Sequence, residues 1–315
     1  MIGTDINYAI QLLQAEAVVA IPTETVYGLA GNALSAKAVS TIFEVKNRPS
    51  FDPLIIHTSQ FERIAGFITD MPEAARKLAS RFMPGPLTLL LPKSDDIPDI
   101  VTAGSPRVAV RIPAHPMTQE LLAALDFPLA APSANPFGYI SPTTAQHVAD
   151  QLGDKIPYIL DGGPCLVGVE STIVGFEDGQ VVVYRKGGIA VEDIEAVVGP
   201  VVARPHSASN PAAPGMLKSH YAPSAPVVLG DITNLLLQYK EQKAGAITFR
   251  KAAPGISPER QLVLSPGGDL VEAARNLFAG MRRLDALQLD VILAELLPEE
   301  GLGRAINDRL RRAAA

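Results

Sequence analysis

Two groups of polar residues near the start of the chain could bind a small polar ligand and a phosphate. The turn Thr23-Glu24-Thr25 follows the apolar residues 18–21, and open α/β sheets bind ligands at the carboxyl ends of their strands. Lys46 and Arg48 lie one residue apart in a short loop closed by proline. Lysine suits one phosphate oxygen and arginine offers a planar fork for another. These groups predict a small polar ligand beside a polyphosphate, although the two cations could equally be a solvated helix end.

Other positions also carry groups suited to anions or hydroxyls. The segment Pro132-Ser133-Ala134-Asn135 follows an apolar strand and could bind phosphate or ribose, or could simply cap and turn the chain. Arg107 and Arg111 flank an apolar strand, and Arg111 needs an anion that could be a ligand or a protein carboxylate. His57 ends another strand and could contact a ligand or complete the core.

The elements expected around these residues mix strands and helices without strict alternation. Apolar spacing predicts helices at 5–15, 35–45, 72–81, 116–125 and 144–151. Strands are predicted at 18–21, 54–57, 87–91, 108–112, 129–131 and 158–161, with a hairpin formed by 170–176 and 181–185. This pattern predicts an α/β fold of the mixed α+β kind, a twisted mixed sheet with helices rather than a purely doubly wound one.

The composition changes near residue 203. Residues 204–226 are rich in proline and lack a hydrophobic period, which predicts a linker, yet His220 and Tyr221 are costly to expose in a plain spacer. Beyond it, strands at 227–229, 246–249, 261–264 and 291–294 and helices at 235–243, 269–287 and 303–313 predict a small Rossmann-like α/β domain. We therefore expect a first domain at 1–203, a linker or lid at 204–226 and a C-terminal domain at 227–315.

The bulk composition narrows the function classes. The chain has 315 residues, 47% of them hydrophobic, and a formal net charge of −6, so we expect a globular protein without a general attraction to nucleic acid. The single Cys165 cannot form an intrachain disulfide, which fits a reducing cytoplasm. We expect no signal peptide and no membrane span. Walker loop, GxGxxG, HExxH, cysteine pair and GxSxG signatures are missing, so ATP would bind without a P-loop.

Taken in order, several motifs of the chain resemble one family. They are PTETVYGLAG, KNRP followed by PLIIH, AVRIP, APSAN, ESTIVG, YRKGGI and PGMLKSHYAP. The chain resembles the threonylcarbamoyl-AMP synthases in their long form, with a YrdC-like catalytic domain over about residues 6–200. The linker and the closing GLGRAINDRLRRAA match the additional part of that form.

The resemblance implies a nucleotidyltransferase that makes threonylcarbamoyl-AMP and pyrophosphate from ATP, L-threonine and bicarbonate. It implies Mg²⁺ with the ATP, a cytoplasmic location and delivery of the product to the tRNA threonylcarbamoyl-transfer machinery. It also implies weak or no direct RNA binding and no membrane.

The resemblance further implies two sets of site residues. The set for L-threonine is Thr25, His57, Arg111, Ala131 and Ser171. The set for the nucleotide is Lys46, Arg48, Asp52, Arg107, Ser133, Asn135, Ser141, Arg185 and Tyr221, and Tyr221 would make the linker a lid. The metal ligands are left open.

Two residues depart from the family pattern. Asp52 stands where relatives usually carry Asn, and its carboxylate would repel a triphosphate unless Mg²⁺ bridges them. Arg107 stands where a small Thr-like residue is usual.

Three other functions stay open. The first is a double-stranded RNA-binding module, a function that the acidic net charge disfavours. A carbamoyl-transfer enzyme with the same module would need zinc-binding cysteine pairs, which the chain lacks. A regulatory binder would keep the site without catalysis, and Asp52 is the residue that favours it.

Overall fold

The protein is described by a computed structural model covering residues 1–204 and 220–315. The strands are β1 (Ile2–Gly3), β2 (Val19–Ile21), β3 (Gly28–Asn32), β4 (Ile55–His57), β5 (Leu87–Pro92), β6 (Arg107–Arg111), β7 (Leu129–Ala130), β8 (Tyr158–Leu160), β9 (Thr172–Glu177), β10 (Gln180–Arg185), β11 (Val202–Ala203), β12 (Val227–Leu229), β13 (Ala244–Thr248), β14 (Gln261–Val263) and β15 (Val291–Ala294). The helices are α1 (Ile6–Gln14), α2 (Ala36–Lys46), α3 (Phe61–Ile64), α4 (Glu73–Phe82), α5 (Asp99–Thr102), α6 (Pro116–Ala124), α7 (Ala145–Leu152), α8 (Val191–Val198), α9 (Ile232–Gln238), α10 (Leu270–Asp285) and α11 (Gly303–Ala313).

Within the described residues the first eleven strands form one mixed sheet. Their order is β1-β8-β2-β3-β7-β4-β6-β5-β9-β10-β11, with parallel and antiparallel neighbours. The largest cluster of buried apolar residues joins this sheet to α2 and α4 and includes Ile42 and Leu78. The predicted mixed sheet with helices is confirmed.

The pairing of β4, β6, β5 and β9 brings polar residues to one end of the sheet. β4 and β6 run parallel with His57 opposite Arg111, and β5 runs antiparallel with Thr88 opposite Arg111. β5 also pairs with β9, so Ser171, which directly precedes β9, meets Thr88. Four neighbouring strands therefore deliver these side chains to a common place.

Local chemistry sets the ends of α2. The Ser35 side chain accepts a hydrogen bond from the backbone N–H of Ala38 at the start of the helix. Asn47 takes the left-handed conformation at the end, with φ of 51°. The helix therefore stops directly between Lys46 and Arg48, which sends the two cations in different directions.

Two predictions about the elements are wrong. β3 was absent from the predicted strands because GLAGN contains two glycines and no apolar alternation, yet it lies inside the sheet between β2 and β7. The predicted helix 235–243 instead runs from Ile232 to Gln238, because Asp231 accepts a hydrogen bond from the Asn234 N–H and begins the helix earlier.

The C-terminal domain is a four-stranded parallel sheet in the order β12-β15-β13-β14. Helix α9 packs on one face through Ile232 and Leu235. α10 and α11 pack on the opposite face through Phe278 and Leu310. Helices on both faces of a parallel sheet confirm the expected Rossmann-like arrangement.

Side chains of the C-terminal domain contact the part of the chain that carries the large sheet. Val26 and Val169 belong to the same apolar cluster as Phe278 of α10. The Arg282 guanidinium donates to the backbone carbonyls of Ser141 at 3.3 Å and Ile140. Residues 205–219 of the predicted linker lie outside the described residues, and the predicted domain boundaries stay a prediction.

Candidate active site

A small cavity of about 60 Å³ lies at the end of the large sheet, beside the ends of β4 and β6 and the start of β9. Its walls include eight of the residues predicted for the site: Arg48, His57, Arg111, Ala131, Ser133, Ser171, Arg185 and Tyr221. Residues of both predicted sets, for the amino acid and for the nucleotide, thus share one hollow. Glu170 and His220 complete its polar lining.

The turn Thr23-Glu24-Thr25 is organised by Thr23 and supplies the carboxylate partner of an arginine in the cavity wall. The Thr23 hydroxyl accepts the backbone N–H groups of Thr25 and Val26 and lies 2.8 Å from the Thr25 hydroxyl. Glu24 pairs with Arg111, whose guanidinium nitrogen lies 2.6 Å from Oε1. The anion that the sequence demanded for buried Arg111 is therefore a protein carboxylate, and Thr25 lies behind the wall with its hydroxyl bound to Thr23.

Arg48 is held by the loop that follows α2. Its guanidinium donates to the carbonyls of Asp52 at 3.1 Å and Pro53 at 2.8 Å. It also lies 2.9 Å from Oδ2 of Asp52, but the geometry is that of an ion pair, since neither Asp52 carboxylate oxygen accepts a hydrogen bond among the described residues. Burial lowers the pKa of Arg48 and the Asp52 carboxylate opposes that shift. Asp52 therefore neutralises Arg48 from behind the cavity wall.

Lys46 binds the turn that contains Ser133 and Asn135. Its Nζ donates to the main-chain carbonyls of these two residues, each at 2.5 Å. Asn135 donates through Nδ2 to Pro136 and Tyr139, while its Oδ1 is buried without a hydrogen bond from the described residues. Burial, followed by the nearby Arg48 charge, lowers the pKa of Lys46 well below its usual range. In this conformation Lys46 and Asn135 fix the turn from behind, and only Ser133 reaches the cavity.

Arg185 and Ser171 form the wall at the edge of the hairpin. The guanidinium donates to the Ser171 carbonyl and to its hydroxyl, both at 3.0 Å. The Ser171 hydroxyl lies 2.7 Å from the Thr88 hydroxyl. Burial lowers the pKa of Arg185 to about 10, so the group stays cationic at neutral pH.

Glu170 connects the cavity to the C-terminal domain. Its Oε1 accepts the Ser141 hydroxyl at 2.5 Å, and its Oε2 accepts two N–H groups of Arg309 at 2.9 and 3.1 Å. Burial would raise the pKa of Glu170, but the charges of Arg309 and Arg185 together with the Ser141 hydroxyl hold it below its ordinary value. A fully buried arginine of α11 thus anchors a carboxylate of the cavity wall.

His220 and Tyr221 close the remaining side. The Tyr221 ring packs against Phe278 with centroids 5.4 Å apart, and the Arg309 and Arg312 guanidinium groups lie 5.3 and 4.6 Å from its centroid. His220 contacts the Tyr221 ring edge-on at 4.2 Å. These residues of the predicted linker therefore dock between the two domains, as their apolar character required.

Arginines dominate the charged lining of the cavity, although Arg48 and Arg111 each have a carboxylate partner outside it. Three arginines face one carboxylate, and both histidines are neutral. Burial, followed by the Arg111 charge, lowers the pKa of His57 to about 3. Burial and the Arg312 charge lower the pKa of His220 well below its ordinary value. Such a hollow is suited to an anionic ligand.

Six predicted residues do not line the cavity in this conformation: Thr25, Lys46, Asp52, Arg107, Asn135 and Ser141. Five of them support residues that do. Arg107 lies four residues before Arg111 on β6, roughly 13 Å away along the strand. Its guanidinium contacts Glu177 at 2.7 Å and the Tyr184 hydroxyl at 2.8 Å. The ligand contacts of all these residues stay predictions.

Sequence reasoning missed Glu170 and Arg309. Arg309 falls on the apolar face of α11, three residues after Ile306 and four before Ala313, and it is fully buried. An arginine at such a position signals a buried carboxylate partner. That signal was available in the sequence, but its partner 139 residues away was not.

Candidate metal ligands are sparse. Among residues 1–204 and 220–315 no group of three or more His, Cys, Asp or Glu side chains is placed to hold a metal ion. No helix in that part of the chain is long and apolar enough to cross a membrane. Burial raises the pKa of the Cys165 thiol to about 12, so this thiol is not a nucleophile at neutral pH.

Comparison with known proteins extends over nearly the whole chain. The family described as "Telomere recombination" matches residues 11–187, and that described as "Threonylcarbamoyl-AMP synthase, C-terminal domain" matches residues 189–315. The threonylcarbamoyl-AMP synthase of Pyrococcus abyssi is 43% identical over 98% of this chain and 94% of its own length. That of Bacillus subtilis is 42% identical over 98% and 92%.

A solved structure shows the same architecture. The crystal structure of P. abyssi Sua5 complexed with L-threonine superposes with a TM-score of 0.93 at 42% identity, covering 98% of this chain and 94% of that one. Together with these relatives, the mixed sheet with its arginine-lined cavity and the parallel C-terminal domain define a nucleotidyltransferase of the YrdC-like class. The chain belongs to the threonylcarbamoyl-AMP synthase family.

Proposed function

We propose that the chain forms threonylcarbamoyl-AMP and pyrophosphate from L-threonine, bicarbonate and ATP. The observation that carries the proposal is the single cavity in which Arg48, Arg111 and Arg185 converge beside serine hydroxyls. The relatives named threonylcarbamoyl-AMP synthase, similar over almost the full length, and the relative solved with L-threonine support it.

L-Threonine is assigned to the side formed by β4, β6 and β9. Arg111 presents its guanidinium to the α-carboxylate, while Glu24 keeps that guanidinium in place. Ser171 meets the polar side chain, and Ala131 with neutral His57 supplies a less polar wall. Thr25 acts from behind the wall through the turn that carries Glu24.

The nucleotide is assigned to the side formed by the loop after α2 and the Ser133 turn. Arg48 and Arg185 offer guanidinium groups to the phosphates, and the Ser133 hydroxyl lies between the two sides. Lys46 and Asn135 hold the Ser133 turn, and Ser141 holds Glu170. Their direct contact with phosphate or ribose requires a shift of this wall, as does a contribution from Asp52 or Arg107.

The protein contributes to this reaction mainly by positioning the reactants. The amine of threonine combines with bicarbonate to give the carbamate and water. A carbamate oxygen then attacks the α-phosphorus, the P–O bond to the β-phosphate breaks, and pyrophosphate leaves with that bond's electron pair. Arg48 and Arg185 neutralise the charge that develops. With its pKa lowered to about 3, the His57 imidazole is too weakly basic to take up a proton near neutral pH, and we assign no general base.

Closure of the cavity protects the labile carbamate and the mixed anhydride from water. The present volume of about 60 Å³ is far below the several hundred Å³ usual for a nucleotide site. A wall must therefore move to admit ATP. We assign that movement to the segment of His220 and Tyr221, because both residues line the cavity.

Mg²⁺ is assigned to the phosphates of ATP rather than to a protein site. Glu170 is the one carboxylate among the described residues that lines the cavity, and both its oxygens accept protein hydrogen bonds. Mg²⁺ binds readily through phosphate oxygens, water and few protein ligands. It would contribute charge neutralisation there, and no step is derived through it.

The cellular role follows from the product. Threonylcarbamoyl-AMP is an activated acyl donor, and we assign its use to the tRNA threonylcarbamoyl-transfer machinery in the cytoplasm. The net charge of −6 gives the chain no general attraction to RNA.

A pyrophosphate-release assay tests the proposal when L-threonine, bicarbonate and ATP are omitted in turn. We expect release only when all three are present. Arg48→Ala should abolish it while circular dichroism shows an intact fold. Release that is independent of threonine, or unchanged in Arg48→Ala, would overturn the assignment.

A further inference from the structure

A second cleft lies in the C-terminal domain, away from the catalytic cavity. Its volume is about 670 Å³, and it opens at the carboxyl ends of the parallel strands. Asp231 follows β12, Glu295 follows β15, and Thr248 ends β13. With α9 on one face of the sheet and α10 on the other, the connecting loops diverge at this edge, where parallel α/β sheets bind ligands.

The wall of the cleft contains a buried hydroxyl group, that of Thr248, which no described residue satisfies. The residue is 2% exposed, lines the cleft, and its Oγ1 finds no hydrogen-bond partner in the described part of the chain. A buried hydroxyl without a partner destabilises the fold. A ligand that hydrogen-bonds to Thr248 would remove that cost.

Two cations stand at the mouth of the cleft. Arg250 and Lys251 are exposed, and neither forms an ion pair with a described residue. Arg250 lies over Gly268 in the loop after β14, so close that a Cβ there would meet Nε at 3.0 Å. Its guanidinium thus lies beside the loop after β14 and is exposed to an approaching anion.

Two carboxylates face the same cleft, each with one oxygen engaged. Glu295 Oε1 accepts the Phe249 N–H at 2.6 Å, and Asp231 Oδ1 accepts the Asn234 N–H at 3.0 Å. The second oxygen of each has no hydrogen bond within residues 1–204 and 220–315. These oxygens are acceptors for a ligand's hydroxyl groups.

We propose that this cleft binds a ribonucleotide, independently of the catalytic cavity. The phosphate would contact Arg250 and Lys251, and the ribose hydroxyls would donate to Asp231 and Glu295. Thr248 would complete the polar contacts.

The composition of the cleft favours this class over smaller ligands. A lone phosphate would use the cations but would be repelled by Asp231 and Glu295. An amino acid could satisfy both signs of charge but would fill only a small part of about 670 Å³. A ribonucleotide combines an anion, two hydroxyl donors and a base that can lie against Phe249.

Titration calorimetry with AMP, GMP, CMP and UMP tests the proposal on the full chain. The matched variants are Arg250→Gln/Lys251→Gln and, as a control, Lys240→Gln, an exposed lysine outside the cleft. At least one nucleotide should bind at a site whose Kd rises about tenfold or more in the double variant and is unchanged in the control. Pyrophosphate release should be unchanged in both variants.

Thr248→Val separates ligand binding from a structural role. Loss of an unpartnered buried hydroxyl should leave the free energy of unfolding unchanged or raise it, while the nucleotide Kd rises severalfold. The proposal fails if none of the four nucleotides binds at a site that the double variant weakens. It also fails if inorganic phosphate or L-threonine binds there as tightly as the best nucleotide, or if Thr248→Val lowers stability and leaves the Kd unchanged.

Discussion

The ion pair between Arg309 and Glu170 makes the catalytic cavity depend on the C-terminal domain. Arg309→Met keeps most of the aliphatic stem but removes two hydrogen bonds of 2.9 and 3.1 Å from a buried carboxylate. Breaking a buried pair by removing one partner costs about 3–5 kcal/mol, because the remaining charge is left uncompensated. The free energy of unfolding should fall by about that amount at neutral pH.

The matched variants isolate the cause. Arg309→Met/Glu170→Gln removes both charges and should recover most of the loss, since the penalty belongs to the unpaired carboxylate. Arg311→Met, on the same helix, removes an exposed pair with Glu299 and should cost less than about 1 kcal/mol.

The pH dependence gives a second signature. In the parent chain burial acts to raise the pKa of Glu170, and the Arg309 charge, followed by that of Arg185, holds it below its ordinary value, so loss of Arg309 moves this pKa upward. Glu170 then takes up its proton at a higher pH in the variant than in the parent chain, and a protonated carboxyl does not need the arginine, so the cost of Arg309→Met should shrink as the pH falls from neutral toward about 5. Urea unfolding at both pH values measures this. Equal costs for Arg309→Met and Arg311→Met, or no recovery in the double variant, would refute the reasoning.

Three further predictions concern the cavity. Asp52→Asn should keep or raise ATP affinity, because it removes a negative charge 2.9 Å from Arg48, and a large loss in titration calorimetry would contradict this. Burial lowers the pKa of His57 from 6.5 to about 3, so the unfolded chain binds more protons than the folded chain between these pH values. The free energy of unfolding should therefore fall as the pH is lowered from about 6.5 to 3. In His57→Gln the midpoint of urea unfolding should depend less on pH over this range. Gly187→Ala places a Cβ 2.3 Å from the Glu170 carbonyl oxygen, which precedes β9, and should lower the free energy of unfolding by about 1–3 kcal/mol. Gly66→Ala is the control: its Cβ would lie 3.6 Å from the nearest atom, and thermal unfolding should show almost no change.

Much of the fold could be predicted because its elements carry strong local signals. Apolar runs such as those of β5 and β15 and the spacing in α11 specify their own structure. β3 could not be predicted, since its glycines have no strand propensity and its place in the sheet comes from pairing with β2 and β7. Helix α9 was misplaced because a cap at Asp231 determines its start.

Part of the candidate site could likewise be predicted from the sequence, and part of it could not. The motifs predicted residues such as Arg48, Arg111 and Ser171, which do line one cavity. Spacing alone could not tell that Arg111 pairs with Glu24, 87 residues away, or that Lys46 turns toward backbone carbonyls. These are long-range contacts, and no local pattern contains them.

The most direct measurement is a crystal structure of the chain with L-threonine and a non-hydrolysable ATP analogue. We expect both ligands in the one cavity, with the amino-acid carboxylate on Arg111 and the phosphates against Arg48 and Arg185. Ligands in separate places, or phosphates bound away from these arginines, would contradict it.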